Sequence, residues 1–261
     1  MLNQDMKKIL SLQNDLIKKI KSLHTPKGRS AHHLFIAEGL RAIEGLMTGR
    51  LELKFLFYTS MAQDSASILT PKINQFWPKV DLILLDPVVM AKISTLESQA
   101  GILAVFAIPQ INHHSIPLST GAVLAQISDP GNMGTLIRTT AAMGYETVVV
   151  IEGTDPWGPK VVQASAGALA QINLFRLSWQ ELLAHKKDLT LCALVVQNGE
   201  NPKTLDLSNS LLVIGSEAHG LPETWVADCE KRLTIPMPGG TESLNAAIAV
   251  GIALYLSKFN L

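Results

Sequence analysis

Short apolar runs, many of them β-branched, alternate along this chain with longer stretches whose apolar residues recur at helical spacing. The first pattern is that of buried strands, the second that of helices with one face on a core. The first 20 or so residues have helical spacing, with Ile9, Leu12, Leu16, Ile20 and Leu23 on one side; Thr25–Ser30 then breaks the helix as a polar turn. Strands are expected at Leu34–Ala37, Leu53–Tyr58, Leu82–Leu85 and Ile102–Ile108. Helices between them cover Glu38–Met47, a polar stretch to Trp77, and a segment from Pro87. Residues 109–120, with two prolines, two histidines and little periodicity, read as a linker. Beyond it, strands are expected at Ala122–Ile127, Thr147–Ile151, near Leu174, and at Leu189–Val196, Leu211–Ile214 and Arg232–Ile235. Helices are expected from an N-cap at Asn132 to Gly144, through Ala170, and over Trp179–Lys187, Pro222–Cys229 and Ser243–Lys258. Strands alternating with helices predict an α/β protein with largely parallel sheets. The expected division is a domain over 1–108, the linker 109–120 and a second domain over 121–261.

Composition narrows this picture. The 261 residues are 47% hydrophobic and 17% charged, enough for a sizeable core with little disorder. The first ten residues lack the apolar core of a signal peptide. The longest nearly apolar run, Ala246–Leu256, falls short of the roughly 18 residues of a membrane span. Cys192 and Cys229 form no C-x-x-C pair, so reduced thiols in a cytoplasmic protein are expected, with neither disulfide nor metal site. Net charge is zero, yet residues 1–30 hold seven Lys and Arg against two Asp. That excess suits either a solvated helix face or a phosphate-tracking patch.

Three stretches carry candidate chemistry. The first, Ser128–Gly144, is a turn and helix directly after a buried strand. Gly134 and Arg138 share a helix face there, which sets a guanidinium beside open backbone near the positive end of the helix, a place suited to a phosphate. The second is Leu211–Pro222, where a strand runs into Gly215, Glu217 and Gly220, at the end of the sheet where open α/β folds bind ligands. His219 in this stretch reads as a surface-turn residue. The third is Thr234–Asn245, in which two prolines and two glycines precede Ser243 and Asn245; these last two suit helix capping equally well. The chain has no G-x-G pair, no P-loop, no H-E-x-x-H and no nucleophile elbow. These absences argue against a Rossmann cofactor site, an NTPase, a zinc hydrolase and a serine hydrolase.

Together the stretches resemble the three motifs of the SpoU (TrmH) family of RNA ribose 2′-O-methyltransferases, in the SPOUT superfamily. Asn132, Gly134 and Arg138 match the first motif. Gly215, Glu217, Gly220 and Leu221 match the second, with Ala218 where a glycine is common. Ile235, Pro236, Met237, Ser243, Leu244 and Asn245 match the third. The resemblance implies a mostly parallel C-terminal domain with a trefoil knot. Before it would stand a smaller α/β RNA-binding domain like certain ribosomal proteins, to which the basic turn, Phe35, Glu38-Gly39 and residues 99–104 point. It implies S-adenosylmethionine (AdoMet) as cofactor, held around Leu194, Gly215, Gly220, Ile235, Met237 and Leu244, and no metal. The implied catalytic residues are Arg138, Asn132, Glu217, Ser243 and Asn245, with Lys27, Arg29, Arg41 and Arg138 on the RNA. Arginine stays protonated to about pH 12 and beyond, so Arg138 is either a specially partnered base or a clamp on the target phosphate. The family forms homodimers; Leu244, Ile248, Ile252 and Tyr255 make an apolar stripe that either faces a second copy or packs on its own sheet. The expected substrate is large-subunit (23S-type) ribosomal RNA. The alternatives are tRNA, and a non-catalytic RNA-binding or ribosome-assembly role.

Overall fold

The computed structural model describes residues 7–9, 11, 13–48, 50–95, 100–111, 116–239 and 244–259. Contacts divide the chain into two units, Met1–Pro109 with Trp157–Ala170, and Gln110–Pro156 with Gln171–Leu261.

The first unit runs β1 (Lys7–Ile9), α1 (Asp15–Ser22), α2 (Pro26–His32), β2 (Leu34–Glu38), α3 (Leu40–Leu46), β3 (Leu53–Tyr58), α4 (Gln63–Phe76), β4 (Asp81–Leu85), α5 (Pro87–Ile93) and β5 (Ile102–Ala107). Among the described residues its sheet has the order β1-β4-β3-β5-β2, with β5 antiparallel to both neighbours. Two expectations fail here. The chain does not open on one helix: Lys7–Ile9 pair with β4, and α1 starts only after Asn14, whose side chain accepts from Leu16 N at 2.9 Å. Nor is Thr25–Ser30 a turn. Thr25 caps α2, accepting from Gly28 N at 3.1 Å, and Pro26 fills the first helical position, where its missing N–H costs nothing. The core lies between the sheet and the helices, where Ile17, Ile20 and Leu23 meet Ile83, Val89, Met90 and Leu103.

The second unit holds β6 (Gly121–Ala125), α6 (Pro130–Ala142) and β7 (Thr147–Ile151). After the excursion α7 (Pro159–Ser165) come β8 (Asn173–Arg176), α8 (Trp179–His185), β9 (Thr190–Leu194), β10 (Ser210–Ile214), α9 (Glu223–Asp228), β11 (Lys231–Leu233) and α10 (Ala246–Phe259). Among the described residues its six strands are all parallel in the order β11-β9-β10-β6-β7-β8. β6, β7 and β10 are buried along their whole length, which explains why they read as unbroken apolar runs. The strand order reverses between β6 and β10, and in such sheets the crevice beyond that point is where ligands bind. The final strand is gripped on both sides. β9 pairs one edge of β11, while Glu200, from the loop after β9, exchanges backbone hydrogen bonds with Arg232 and Thr234 on the other.

Residues 157–170, expected in the second domain, pack within the first unit. Trp157 lies 4.9 Å from Phe35 between ring centroids. A Cβ on Gly167 would fall 2.5 Å from Gly45 Cα, so the backbones of α3 and of the turn after α7 touch only because both residues lack a side chain.

Candidate active site

At the reversal point the carboxyl ends of β9 and β10, the start of α6 and the approach to α10 enclose a cavity of about 670 Å³. This lies within the ~300–1,000 Å³ of typical small-molecule sites. The loop after β10 forms one side. Ser216 and Gly220 exchange backbone hydrogen bonds at 3.0 and 2.9 Å, closing a tight hairpin in which Gly220 has φ +67°. Gly215 admits no side chain, because a Cβ there would come within 2.2 Å of the Gly220 carbonyl carbon.

α6 begins three residues earlier than its sequence suggests. Asp129 is the N-cap, accepting from Asn132 N at 2.7 Å, and Pro130 takes the first helical position. The Asp-Pro step was the readable signal. The capping role expected of Asn132 therefore falls to Asp129, which frees the Asn132 carboxamide. It donates through Nδ2 to Glu217 Oε1 at 2.9 Å and accepts at Oδ1 from Asn245 Nδ2 at 3.1 Å. One hydrogen-bonded line thus joins residues 85 and 113 positions apart in sequence. Asn245 also caps α10, its Oδ1 accepting from Ala247 N at 2.9 Å, so it caps the helix and meets Asn132 at once.

Asn132, Leu194, Gly215, Glu217, Gly220, Ile235, Met237, Leu244 and Asn245 all line the cavity. Val195, Val196 and Ala249 line it too, unmarked by any motif, and so does His219. Its walls are divided between apolar side chains and polar groups, of which Glu217 and Asn245 meet at Asn132. The apolar part suits a flat heteroaromatic ring held by apolar contact. Space for a ligand is open at Gly220, where nothing lies within 4 Å of a Cβ position. AdoMet fits this donor set. Arg138 is exposed on α6 and is not among the lining residues, and Gly134 beside it is buried. Ser243 lies outside the described residues.

The expected RNA contacts divide. Lys27 and Arg41 are exposed. Arg29 is only 3% exposed, and its Nη1 donates to the Leu23 carbonyl at 2.7 Å. It holds the α1–α2 turn together and is not offered to a phosphate, a correction to its assignment. On α10, Val250, Ala253 and Leu254 are buried and Ile252 is half-buried, whereas Ile248 and Tyr255 are 57% and 47% exposed, as is Leu244, just ahead of the helix, at 38%. Most of the apolar stripe is therefore left open to water in the single chain. Among the described residues no group of His, Cys, Asp or Glu could hold a metal ion, and no helix is long and apolar enough to cross a membrane.

The SpoU rRNA methylase family model matches residues 120–255, the stretch that contains the whole cavity. The chain belongs to the SpoU family. A second model, the MRM3-like substrate-binding domain, matches residues 14–104. Among SpoU relatives, a tRNA/rRNA methyltransferase of Synechocystis sp., named as uncharacterised, is 32% identical over 98% of this chain and 95% of its own length. The 23S rRNA (guanosine(2553)-2′-O)-methyltransferase RlmP of Bacillus subtilis is 26% identical over 96% and 98%. The crystal structure of an AdoMet-bound rRNA methyltransferase from Sinorhizobium meliloti superposes with a TM-score of 0.81 at 26% identity, covering 97% of this chain and 98% of that one. The SpoU domain here has the α/β fold of that SPOUT enzyme, and the chain is an AdoMet-dependent RNA 2′-O-methyltransferase.

Proposed function

We propose that this chain methylates a ribose 2′-hydroxyl in large-subunit ribosomal RNA, in the cytoplasm and as a homodimer. The observation that carries the reading is the line Glu217–Asn132–Asn245 at the edge of the cavity: three motif residues, distant in the chain, fixed against one another beside the cofactor's place. Bound AdoMet supplies a methyl group activated by the sulfonium. Leu194, Ile235, Met237 and Leu244 would hold its adenosine by apolar contact, with the backbone at Gly215 and Gly220 reading its polar edge. Asn132, Asn245 and Glu217, with Ser243, would orient the ribose so that its oxygen meets the methyl carbon in line. Alignment of this kind supplies ~7–11 kcal/mol, more than general-base help of ~10²–10⁴-fold.

The exposure of Arg138 supports the clamp reading. Serving as a base would require the guanidinium to be withdrawn from water, and in the single chain it is not. A charged Arg138 would hold the target phosphate, which helps to receive the proton. Residues 1–108 would carry the RNA, with Lys27 and Arg41 available to phosphates. The grip of β9 and Glu200 on both edges of β11 supports a trefoil knot, in which later chain would run through an earlier loop.

The test is transfer from labelled AdoMet to protein-free ribosomal RNA from cells lacking the gene, with tRNA from the same cells in parallel. A 2′-O-methyl mark at one position of the large-subunit RNA is expected. A mark on tRNA alone would redirect the substrate, and no mark on either would leave an RNA-binding or assembly role.

A further inference from the structure

Two residues at the carboxyl edge of the second sheet hold backbone conformations that side chains seldom adopt. Gln126, directly after β6, and Glu152, directly after β7, both have φ +58°. Such strain in non-glycine residues gathers at functional sites. The backbone that imposes it is locked: Gln126 N donates to Ile151 O and Thr154 N to Ile127 O, each at 2.8 Å. The side chains meet above it, Gln126 Nε2 donating to Glu152 Oε2 at 2.8 Å, and the Glu152 side is open to water. An exposed pair of this kind gains little burial from the strain it keeps.

Register shows what the pair stands beside. Leu124 is level with Ile214 and Ala125 with Ile151, so Ser216, Gln126 and Glu152 come at the same height on three adjacent strands. At ~4.8 Å per strand, the pair begins within about 10 Å of the Glu217 loop, roughly the reach of one nucleotide from ribose to base edge. One strand further, Arg176 closes β8, 56% exposed and 3.8 Å from Asp155.

We infer that Gln126 and Glu152 read the base of the target nucleotide, and that this base is guanine. The inference rests on the methyl-transfer reading above. Once bonded to each other, Gln126 keeps one amide N–H and Glu152 keeps lone pairs on both carboxylate oxygens. A carboxylate receives two parallel donors, and the Watson–Crick edge of guanine offers them side by side, N1–H and N2–H. Its O6 accepts the remaining Gln126 N–H. Uracil, cytosine and adenine each turn at least one lone pair toward the carboxylate. Unstacked RNA bases are read on this edge. Arg176 would hold a neighbouring phosphate without regard to base.

The experiment uses the full chain, labelled AdoMet and protein-free large-subunit RNA from cells lacking the gene, digested to nucleosides after transfer. Label is expected in 2′-O-methylguanosine. Glu152→Gln and Gln126→Ala should each lower kcat/KM about ten- to a hundredfold with AdoMet Kd within threefold. On a transcript of the marked region with inosine for guanosine, which lacks the N2 amine, the native chain should lose tenfold or more and Glu152→Gln little. Arg176→Ala should raise KM equally on both transcripts. Label in another nucleoside, or native kcat/KM in both variants, overturns the base reading alone. Absence of label in every nucleoside overturns the methyl-transfer reading and this inference with it.

Discussion

Asn132 is the side chain on which the proposed catalytic geometry turns. It contributes one donor and one acceptor, and both are used across the site, to Glu217 and from Asn245. Replacing it with alanine leaves the helix intact, since Asp129 caps the backbone. Asn132→Ala should therefore lower single-turnover transfer about 10²-fold through misalignment. AdoMet affinity, read by calorimetry, should stay within threefold. Loss of both together would make Asn132 a cofactor ligand instead. The two thiols behave in the opposite way, cut off from chemistry. Burial, with smaller help from Cys229, pushes Cys192 up to about 12; burial, with Glu230 and Asp228, does the same to Cys229. A thiol held protonated by the fold stabilises it below the ordinary value near 9, and that contribution fades as pH rises through about 12. Neither cysteine should react with a disulfide reagent at pH 8 in the native protein, and both should react after denaturation. A fast native thiol at that pH would contradict their burial.

At the scale of elements, α6 shows how a local rule decides a site. Its start is fixed by Asp129 and Pro130, and that start turns the Asn132 carboxamide toward the cavity. Asp129→Ala removes the acceptor for Asn132 N and should cost ~1 kcal/mol of stability, seen as a small drop in Tm. It should also reduce transfer, because the residue it releases is the one proposed to align the ribose; unchanged transfer would show that the Pro130 turn suffices. Much of this element was legible. The fully buried parallel strands announced themselves as apolar runs, and Leu53–Tyr58 and Thr147–Ile151 were read to the residue. The start of α6 was not, because Asn, Asp and Ser all cap helices and only the following proline separates them. β1 was missed because its three residues lie within a helical period. The Asn132 line depends on contacts between distant segments, which no period records. Arg29 was misread for a related reason. A cation in a basic turn looks solvated until the fold encloses it around a carbonyl.

Across the whole molecule, the exposed side of α10 joins the cavity to the proposed dimer. Leu244, just ahead of the helix, lines the cavity, as does Val196, itself 53% exposed, from the loop after β9. Ile248 and Tyr255 continue the apolar surface away from the site. A contact centred on Ile248 would therefore bury large side chains and cover the apolar rim of the cavity, leaving its polar corner at Asn132 for the ribose. Ile248→Asp sets a charge in the middle of that contact, where burial without a partner is costly. The inner face of the helix, Ala247, Val250, Ala253 and Leu254, is untouched, so the folded chain should keep its Tm to within about 2 °C if the native dimer adds little to it. Analytical ultracentrifugation should show the native chain at twice its monomer mass and the variant at the monomer mass. Transfer should fall with dissociation, and AdoMet affinity should weaken as the rim opens to water. A native chain that sediments as a monomer at micromolar concentration would overturn the dimer, while leaving the cavity and the Asn132 line as they stand. A dimeric variant with full activity would move the contact elsewhere on the surface.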